Sequence, residues 1–431
     1  MNLYGLRPAV RWVRAHLGNA RPVPSRVRRI QRVAHPGARL VAITFDDGPT
    51  RGLTEEVLES LARFEARGTF DIVGSTRANY PDRPGRRGGP FWSGRAYDHY
   101  AAFGRDDEAG LAARPELVRA LAAGGHELSN HSYRHLAFGP ERVVYRGRRH
   151  FAGARQALED QRQLHEACRA LTGTEPRLGR PPHYIDRTVD GFDAYDIYDA
   201  MGYQYLAANF DLGGWQPSRA SREDTIAAAV APLEAALAAD PDSLAGQVLF
   251  AKDGYNMSLE PVVCWALPRQ LELLARAGYR VVTVSELLAA SPFADVGPED
   301  PAAAWALRLL AAGVPCAFRD NRLRPEAPLT RGELAAWLGG PVTPPALGSA
   351  GPLVRAREVA AARGWLAPGR TEAPVQRSEL ERALGSWAWQ ASATATPEEP
   401  RPPDAAGVSH RLALARFVAA LGSRGGPGWS R

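Results

Sequence analysis

The stretch that decides the fold reads Leu40-Val41-Ala42-Ile43-Thr44-Phe45-Asp46-Asp47-Gly48-Pro49. An apolar, partly β-branched run that ends in two carboxylates and Gly-Pro is typical of a strand that enters a turn. Because side chains alternate along a strand, Asp46 and Asp47 should point in different directions, which would leave one carboxylate for a metal and the other for a proton. Asp-Gly is also ordinary turn chemistry, so this stretch alone supports a plain turn equally well.

Strand-like and helical segments alternate from residue 40 to residue 290. Helical patterns at 54–66, 116–123 and 153–171 separate strand candidates such as 68–73 and 247–250. This alternation predicts an α/β fold with a parallel sheet, either open or closed into a barrel. Sites in such folds lie at the carboxyl ends of the strands, where the Asp-Asp pair falls.

Composition divides the chain of 431 residues into three segments. Residues 1–37 form a basic arm, 38–290 hold the β/α alternation, and 291–425 are Ala-rich and helical. Residues 1–40 contain nine arginines and no acidic residue. Such an arm can contact anionic wall polymer, lipid headgroups or nucleic acid, but more often it is solvated or packs as a helix. We predict no nucleic-acid partner.

The sequence shows neither a membrane span nor a standard secretory signal, and it contains one long insertion. No apolar run is long enough to span a bilayer, and the first 37 residues lack the apolar core of a standard secretory signal. Residues 75–112 form a long insertion rich in Arg, Gly, Pro and aromatic residues. Loops of this length inside a compact domain are usually functional or disordered.

A second candidate motif is His131-Ser132-Tyr133-Arg134-His135. On a helix or helical turn, the i and i+4 spacing places both imidazoles on one face, as paired metal ligands require. A lone HxxxH is more often two surface histidines, but this motif follows a predicted strand downstream of the Asp-Asp turn. Two histidines and one aspartate make a three-ligand set for a divalent ion with open positions for water and substrate.

A third motif completes a family resemblance. Arg180-Pro181-Pro182 follows the Thr44–Pro49 and His131…His135 motifs in order. With these three motifs, residues 38–290 resemble the polysaccharide deacetylase family, also called the NodB-homology family or carbohydrate esterase family four. The resemblance implies a distorted (β/α) barrel.

The resemblance also implies a metal-dependent hydrolase that removes N-acetyl groups from a cell-envelope polysaccharide, either peptidoglycan or a chitin-like glycan. Asp47, His131 and His135 would hold a divalent ion, with zinc expected. Asp46 would be the general base for a water molecule that the metal activates, and Arg180 would hold Asp46 ionised. The resemblance further implies a location in the envelope or outside the cell, although the missing secretory signal leaves the cytoplasm open.

Several positions depart from the family pattern. His183-Tyr184 stands where the family usually has Tyr-Gly, and a backbone N–H near His183 is expected to meet the developing oxyanion. Asp211 is matched to the catalytic aspartate of the family's fourth motif, with Trp215 at a looser spacing. The predicted substrate-binding residues are His183, Tyr184, Trp215, Phe250 and Asp253.

Lys252 replaces the histidine that serves the family as general acid. Of the 53 basic residues in the chain, it is the only lysine. Three interpretations remain open: Lys252 protonates the leaving amine, it stabilises the oxyanion as a fixed charge, or catalysis is lost. The alternatives to a deacetylase are therefore a catalytically impaired protein that binds glycan or cell wall, and a hydrolase of another C–N bond.

The C-terminal segment resembles S-layer homology repeats. Thr330-Arg331-Gly332-Glu333-Leu334 recurs weakly as Gln376-Arg377-Ser378-Glu379-Leu380 and faintly as Arg411-Leu412-Ala413-Leu414. The resemblance implies a small all-α repeat domain that binds an anionic secondary cell-wall polymer, with Arg331 contacting it. A purely structural helical tail is the alternative.

Overall fold

The computed structural model describes residues 23–75, 109–140, 149–216, 218–254, 260–340, 358–366, 370–388 and 407–422. Most of the predicted insertion at 75–112 lies outside the described residues, as do the first 22 residues of the predicted arm.

Eleven strands lie in the described part of the chain: β1 (Pro24–Ser25), β2 (Arg29–Ile30), β3 (Leu40–Asp46), β4 (Thr69–Ile72), β5 (Glu127–Asn130), β6 (Leu178–Gly179), β7 (Gln204–Leu206), β8 (Phe210–Asp211), β9 (Val248–Lys252), β10 (Arg280–Val282) and β11 (Ala317–Phe318). The helices that alternate with them are α1 (Thr54–Arg63), α2 (Pro115–Ala123), α3 (Ala154–Thr172), α4 (Ala194–Met201), α5 (Arg222–Ala239), α6 (Val262–Arg276) and α7 (Val284–Ala290). The C-terminal helices are α8 (Pro301–Ala311), α9 (Arg331–Gly339), α10 (Arg377–Ala388) and α11 (His410–Gly422).

Nine of these strands form one parallel sheet in the order β2-β7-β6-β5-β4-β3-β9-β8, with β10 paired to the start of β3. The sheet curls so far that the chain just beyond β2 reaches β9. There Gln31 O accepts a hydrogen bond from Val248 N at 3.0 Å. This curled, helix-covered sheet confirms the predicted distorted (β/α) barrel.

The central strand β3 is buried along its whole length, which explains its continuous apolar run. Phe45 stacks on Phe70 of the neighbouring strand β4 with ring centroids 4.8 Å apart. The helices pack their apolar faces on this sheet. The carboxyl ends of β3, β4, β5, β6 and β9 consequently come together, and the predicted site lies there.

The prediction of a basic arm over residues 1–37 is wrong for residues 23–33. Residues 23–33 belong to the fold: β2 pairs with β7 in the main sheet, and β1 pairs antiparallel with β11 of the C-terminal segment. Arg28 is buried between the two and donates to Pro292 O at 2.7 Å and to Asn321 Oδ1 at 2.9 Å. Arg28 therefore serves internal packing.

The C-terminal segment has a hydrophobic core of its own, formed by α8 to α11. Three equivalent residues, each two positions before a helix, form a ring of backbone hydrogen bonds. Leu329 N donates to Val408 O at 2.7 Å, Val408 N donates to Val375 O at 2.9 Å, and Val375 N donates to Leu329 O at 2.8 Å. The weak sequence repeat thus corresponds to three segments arranged around a pseudo-threefold axis.

None of the helices in the described part of the chain has the length and apolar character that a membrane span requires.

Candidate functional site

The Asp-Asp turn separates its two carboxylates as predicted. Asp46 ends β3, whereas Asp47 follows with a positive φ of 73°, so its side chain leaves the strand in another direction. The next residue must be glycine, since a Cβ on Gly48 would lie 2.1 Å from Oδ2 of Asp253. The turn therefore presents two acidic groups to different neighbours.

The histidine motif does not form a helix, contrary to the prediction. Residues 131–135 make an irregular loop after β5, in which Ser132 has a φ of 79° and His135 a φ of 53°. The two imidazoles still converge, with ring centroids 4.9 Å apart. Two residues with left-handed backbone, Ser132 and His135, therefore bring the imidazoles together in place of the predicted helix.

Asp160 on α3 holds this loop. Its buried carboxylate accepts from Ser132 Oγ at 2.6 Å and from Tyr133 N at 2.7 Å through Oδ1. Oδ2 accepts from Arg134 N at 3.2 Å and from Arg134 Nε at 2.8 Å. One side chain from a distant helix therefore restrains the segment between the two histidines.

Asp47, His131 and His135 are all buried, and one candidate ligand atom from each lies within 4.8 Å of the others. Oδ1 of Asp47 is 3.1 Å from Nε2 of both imidazoles. Nδ1 of His131 donates to Arg180 O at 2.9 Å, which assigns the proton to Nδ1 and leaves the Nε2 lone pair directed at Asp47. One carboxylate oxygen and two imidazole nitrogens suit zinc or a similar divalent ion, so these residues fit a metal.

Arg180 lies behind the turn and binds two carboxylates at once. Its Nη1 contacts Oδ1 of Asp46 and lies 2.9 Å from Oδ2 of Asp71, while Nη2 donates to Thr44 Oγ1 at 3.0 Å. Ser129 Oγ donates to the other oxygen of Asp71. Oδ2 of Asp46 is thereby left on the side of the candidate metal ligands, 3.7 Å from His131 Nε2.

Burial and the closely spaced carboxylates of the site shift the pKa values of Asp71 and His131. Burial raises the pKa of Asp71 to about 7, although Arg180 opposes the shift. Burial alone would lower the pKa of His131, but the carboxylates of Asp46 and Asp47 outweigh burial and raise it. A divalent cation at the ligand atoms would offset the same excess of negative charge, which is further evidence that the site fits a metal.

Lys252 ends β9, directly opposite Asp46 in the parallel register. Its Nζ lies 2.5 Å from Oδ2 of Asp47 and 5.9 Å from the ring centroid of Phe250. The lone lysine of the chain is therefore at the candidate metal centre, where the resemblance placed the acid side of the reaction.

Three more predicted site residues, His183, Tyr184 and Phe250, lie beside His135 or Arg180. The ring of His183 packs edge-on against His135 at 5.0 Å, and His183 has a positive φ of 59°. The guanidinium of Arg180 lies over Tyr184 at 5.7 Å and over Phe250 at 5.6 Å. These half-buried rings form the wall of the site.

Asp211 and Trp215 lie at the β8 edge. Trp215 Nε1 donates to Asp211 Oδ2 at 2.8 Å, and Gly213 N donates to Oδ1 at 2.7 Å, so the looser spacing still brings the pair together. Asp253, predicted to bind substrate, has a fully buried side chain. It lies under the Asp-Asp turn, where Oδ2 accepts from Thr54 Oγ1 at 2.7 Å.

Sequence reasoning missed Asp71 and Asp160. Each had a signal: Asp71 interrupts an apolar strand at a position that should be buried, and Asp160 lies on the apolar face of α3 between Ala157 and Leu164. A charged residue at a core position normally has a partner, which here is Arg180 or the histidine loop.

Residues 34–205 match the family model described as polysaccharide deacetylase. These residues include Asp46, Asp47, both histidines and Arg180. This part of the chain is therefore similar to the polysaccharide deacetylase family. Lys252 and the Asp211 pair lie beyond the residues that the family model matches.

Three relatives are similar to about three-fifths of the chain at low identity. A chitin deacetylase of Colletotrichum lindemuthianum is 24% identical over 61% of this chain and 84% of its own length. A peptidoglycan-N-acetylglucosamine deacetylase of Bacillus cereus is 26% identical over 58% of this chain and 88% of its own. The peptidoglycan-N-acetylmuramic acid deacetylase PdaC of Bacillus subtilis is 22% identical over 60% of this chain and 40% of its own.

Proposed function

We propose that this protein is a metal-dependent N-deacetylase of an acetylated cell-envelope glycan, of the peptidoglycan or chitin type. The observation that carries the proposal is the convergence of Asp47, His131 and His135 beside an Asp46 that is held by Arg180. The relatives, which are named as deacetylases of chitin and of peptidoglycan, support the substrate class.

Asp47, His131 and His135 would hold the metal, and we propose zinc because the donor set is one carboxylate and two imidazoles. When bound, such an ion polarises an amide carbonyl and lowers the pKa of water. The remaining steps fall to side chains of the chain itself.

Asp46 is the general base. Arg180 engages Oδ1 of Asp46, so Oδ2 is the atom that accepts the proton from the attacking water. The water oxygen forms a bond to the acetamide carbon, the C–N bond breaks, and acetate and an amine are released. The charge of Arg180 keeps Asp46 ionised before the attack.

Lys252 is proposed for the acid side, because the departing nitrogen must gain a proton. Its ammonium lies next to Asp47. If Lys252 donates the proton, Lys252→Met should lose turnover and Lys252→Arg should restore little of it, since guanidinium does not release its proton near neutral pH. Wild-type turnover in both variants would exclude a catalytic role for Lys252.

The proposed function is tested by measuring acetate release from a panel of N-acetylated glycans with zinc-loaded protein. We expect release from at least one chitin-type or peptidoglycan-type substrate, and none after removal of the metal with a chelator. Binding of these glycans without release of acetate would instead support the catalytically impaired, glycan-binding alternative. Release of an amine without acetate would indicate hydrolysis of another C–N bond.

We also propose that the C-terminal repeats bind an anionic wall polymer. The threefold ring of Leu329, Val375 and Val408 supports a repeat architecture. The guanidinium of Arg331 is already paired with Glu379 of the second repeat, so Arg331 is a poor candidate for an open polymer contact. Full-length protein should co-sediment with cell walls and lose binding to walls stripped of anionic polymer; equal binding to both would favour a purely structural tail.

A further inference from the structure

Asp47 divides its two carboxylate oxygens between different partners. Oδ1 lies 3.1 Å from both imidazole Nε2 atoms, whereas Oδ2 lies 2.5 Å from Nζ of Lys252. The side chain of Asp47 is 1% exposed, and that of Lys252 is 12% exposed. We propose that Lys252 is a built-in counter-charge that engages the second oxygen of Asp47 and lowers the affinity of the site for its divalent metal. This inference rests on the proposed function in taking Asp47, His131 and His135 as the ligands.

The ammonium is restrained at this position by the sheet. Lys252 is the last residue of β9, which lies between β3 and β8, and it is registered against Asp46. The following residue, Asp253, donates its backbone N–H to Asp46 O at 3.2 Å, so the chain remains attached to β3 beyond Lys252. Phe250, two residues earlier on the same face, lies beside the lysine. The backbone on both sides of Lys252 is therefore fixed close to Asp47.

A positively charged group next to a metal ligand has the opposite effect on metal affinity to the acceptor group that usually binds a histidine ligand. Histidine ligands usually donate their second ring N–H to carbonyls or carboxylates, which makes these ligands more basic and strengthens metal binding. An ammonium instead withdraws charge from the carboxylate and repels the incoming cation. This repulsion is poorly screened, because the carboxylate is buried away from water and salt. With Oδ2 engaged, Asp47 offers the metal one oxygen.

A purely orienting role would give the opposite sign. If the contact served only to aim Oδ1 at the ligand position, removal of the lysine side chain would loosen Asp47 and weaken metal binding. If Lys252 acts as a counter-charge, its removal must strengthen metal binding. The direction of the change in affinity therefore decides between the two roles.

The test is the affinity of the full chain for Zn²⁺ alone, measured by competition with a chromogenic chelator at constant pH and ionic strength. Lys252→Met removes the charge and the hydrogen bond, and Lys252→Gln removes the charge but keeps a donor. We expect both variants to bind Zn²⁺ about 10-fold to 100-fold more tightly than the wild type. Lys252→Arg, which keeps the charge, is the matched control and should bind with nearly wild-type affinity.

Two further readouts follow from the same variants. The zinc-induced rise in melting temperature should be larger for Lys252→Met than for the wild type, because a tighter ligand stabilises the folded state more. The visible spectrum of bound Co²⁺ should change when the second oxygen of Asp47 is released, and a merely structural lysine would leave it unaltered. If one variant fails to fold, the other decides the sign.

Wild-type or weaker Zn²⁺ affinity in the folded Met and Gln variants would overturn the inference. No substrate is present in this assay, so its result is separate from that of the acetate-release screen. Unchanged affinities in a protein that releases acetate would refute only the role of Lys252. Tighter variants of a protein that releases no acetate would refute only the proposed deacetylation.

Discussion

Asp160 restrains the loop between the two candidate histidine ligands, so its replacement should loosen the metal site without removing a ligand. Asp160→Asn keeps the size of the side chain and one acceptor oxygen. The oxygen that replaces Oδ1 can still accept from Ser132 Oγ and Tyr133 N. The new NH2 group, however, faces two donors, the backbone N and Nε of Arg134, which now bond to Oδ2 at 3.2 and 2.8 Å.

The loss of these two hydrogen bonds sets the expected decrease in the free energy of unfolding. A hydrogen bond to a charged group contributes about 1.5–3 kcal/mol, and a buried donor left without an acceptor costs about 1–3 kcal/mol. The Arg134 side chain is 31% exposed, so its Nε contributes less than the backbone N. We therefore expect Asp160→Asn to lower the free energy of unfolding by about 2–4 kcal/mol and zinc affinity by about 10-fold or more.

The assay is urea unfolding of the chelator-treated protein together with a zinc titration of the same variant. Arg134→Met is the matched control, since it removes the partly exposed ion pair but keeps every backbone contact of the loop. It should cost under about 1 kcal/mol and leave zinc affinity almost unchanged. The reasoning is refuted if Asp160→Asn behaves like Arg134→Met in both measurements.

Three other predictions concern stability. Burial raises the pKa of Asp253 to about 7, so its contribution to stability is present at low pH and is lost as pH rises from about 4 to 7. Asp253→Asn should remove about 2–3 kcal/mol of the loss between pH 5 and pH 8, measured by urea unfolding at these two pH values, and an unchanged pH profile would contradict it. Arg180→Met should destabilise the fold by about 3–5 kcal/mol because it leaves Asp46 and Asp71 buried without their cation, and a melting temperature like that of the wild type would count against it. Trp387→Phe removes the hydrogen bond to a backbone carbonyl of α9 and should cost about 1–3 kcal/mol with unchanged zinc affinity; weakened zinc binding would show that the repeats and the metal site are coupled.

The barrel and most of the site were predictable because their signals are local. The apolar run Leu40–Phe45 predicts a strand, and the β/α alternation predicts a parallel sheet. The carboxyl end of such a strand is where Asp46 and Asp47 were expected. The histidine motif was recognisable from its spacing, but its helical geometry was not correct. The loop depends on left-handed backbone at Ser132 and His135, and on a carboxylate of a distant helix, which the spacing of the motif does not reveal.

Other features depend on tertiary contacts between distant segments. The pairing of Arg180 with Asp71 joins residues more than 100 positions apart, and the contact of Lys252 with Asp47 arises only when β9 lies beside β3. The segment at 23–33 appeared to be a solvated arm because of its arginines. Its true role depends on β7 and β11, whose positions the local pattern does not predict.

The central claim is that Asp46 and Asp47, although adjacent, have separate duties as base and ligand. The most direct test measures bound zinc and acetate release for Asp46→Asn and Asp47→Asn beside the wild type. We predict that Asp46→Asn retains one zinc per chain but loses about 100-fold to 10,000-fold of the rate, whereas Asp47→Asn loses the metal and the activity together. Wild-type acetate release by Asp46→Asn, or full zinc retention by Asp47→Asn, would contradict the account.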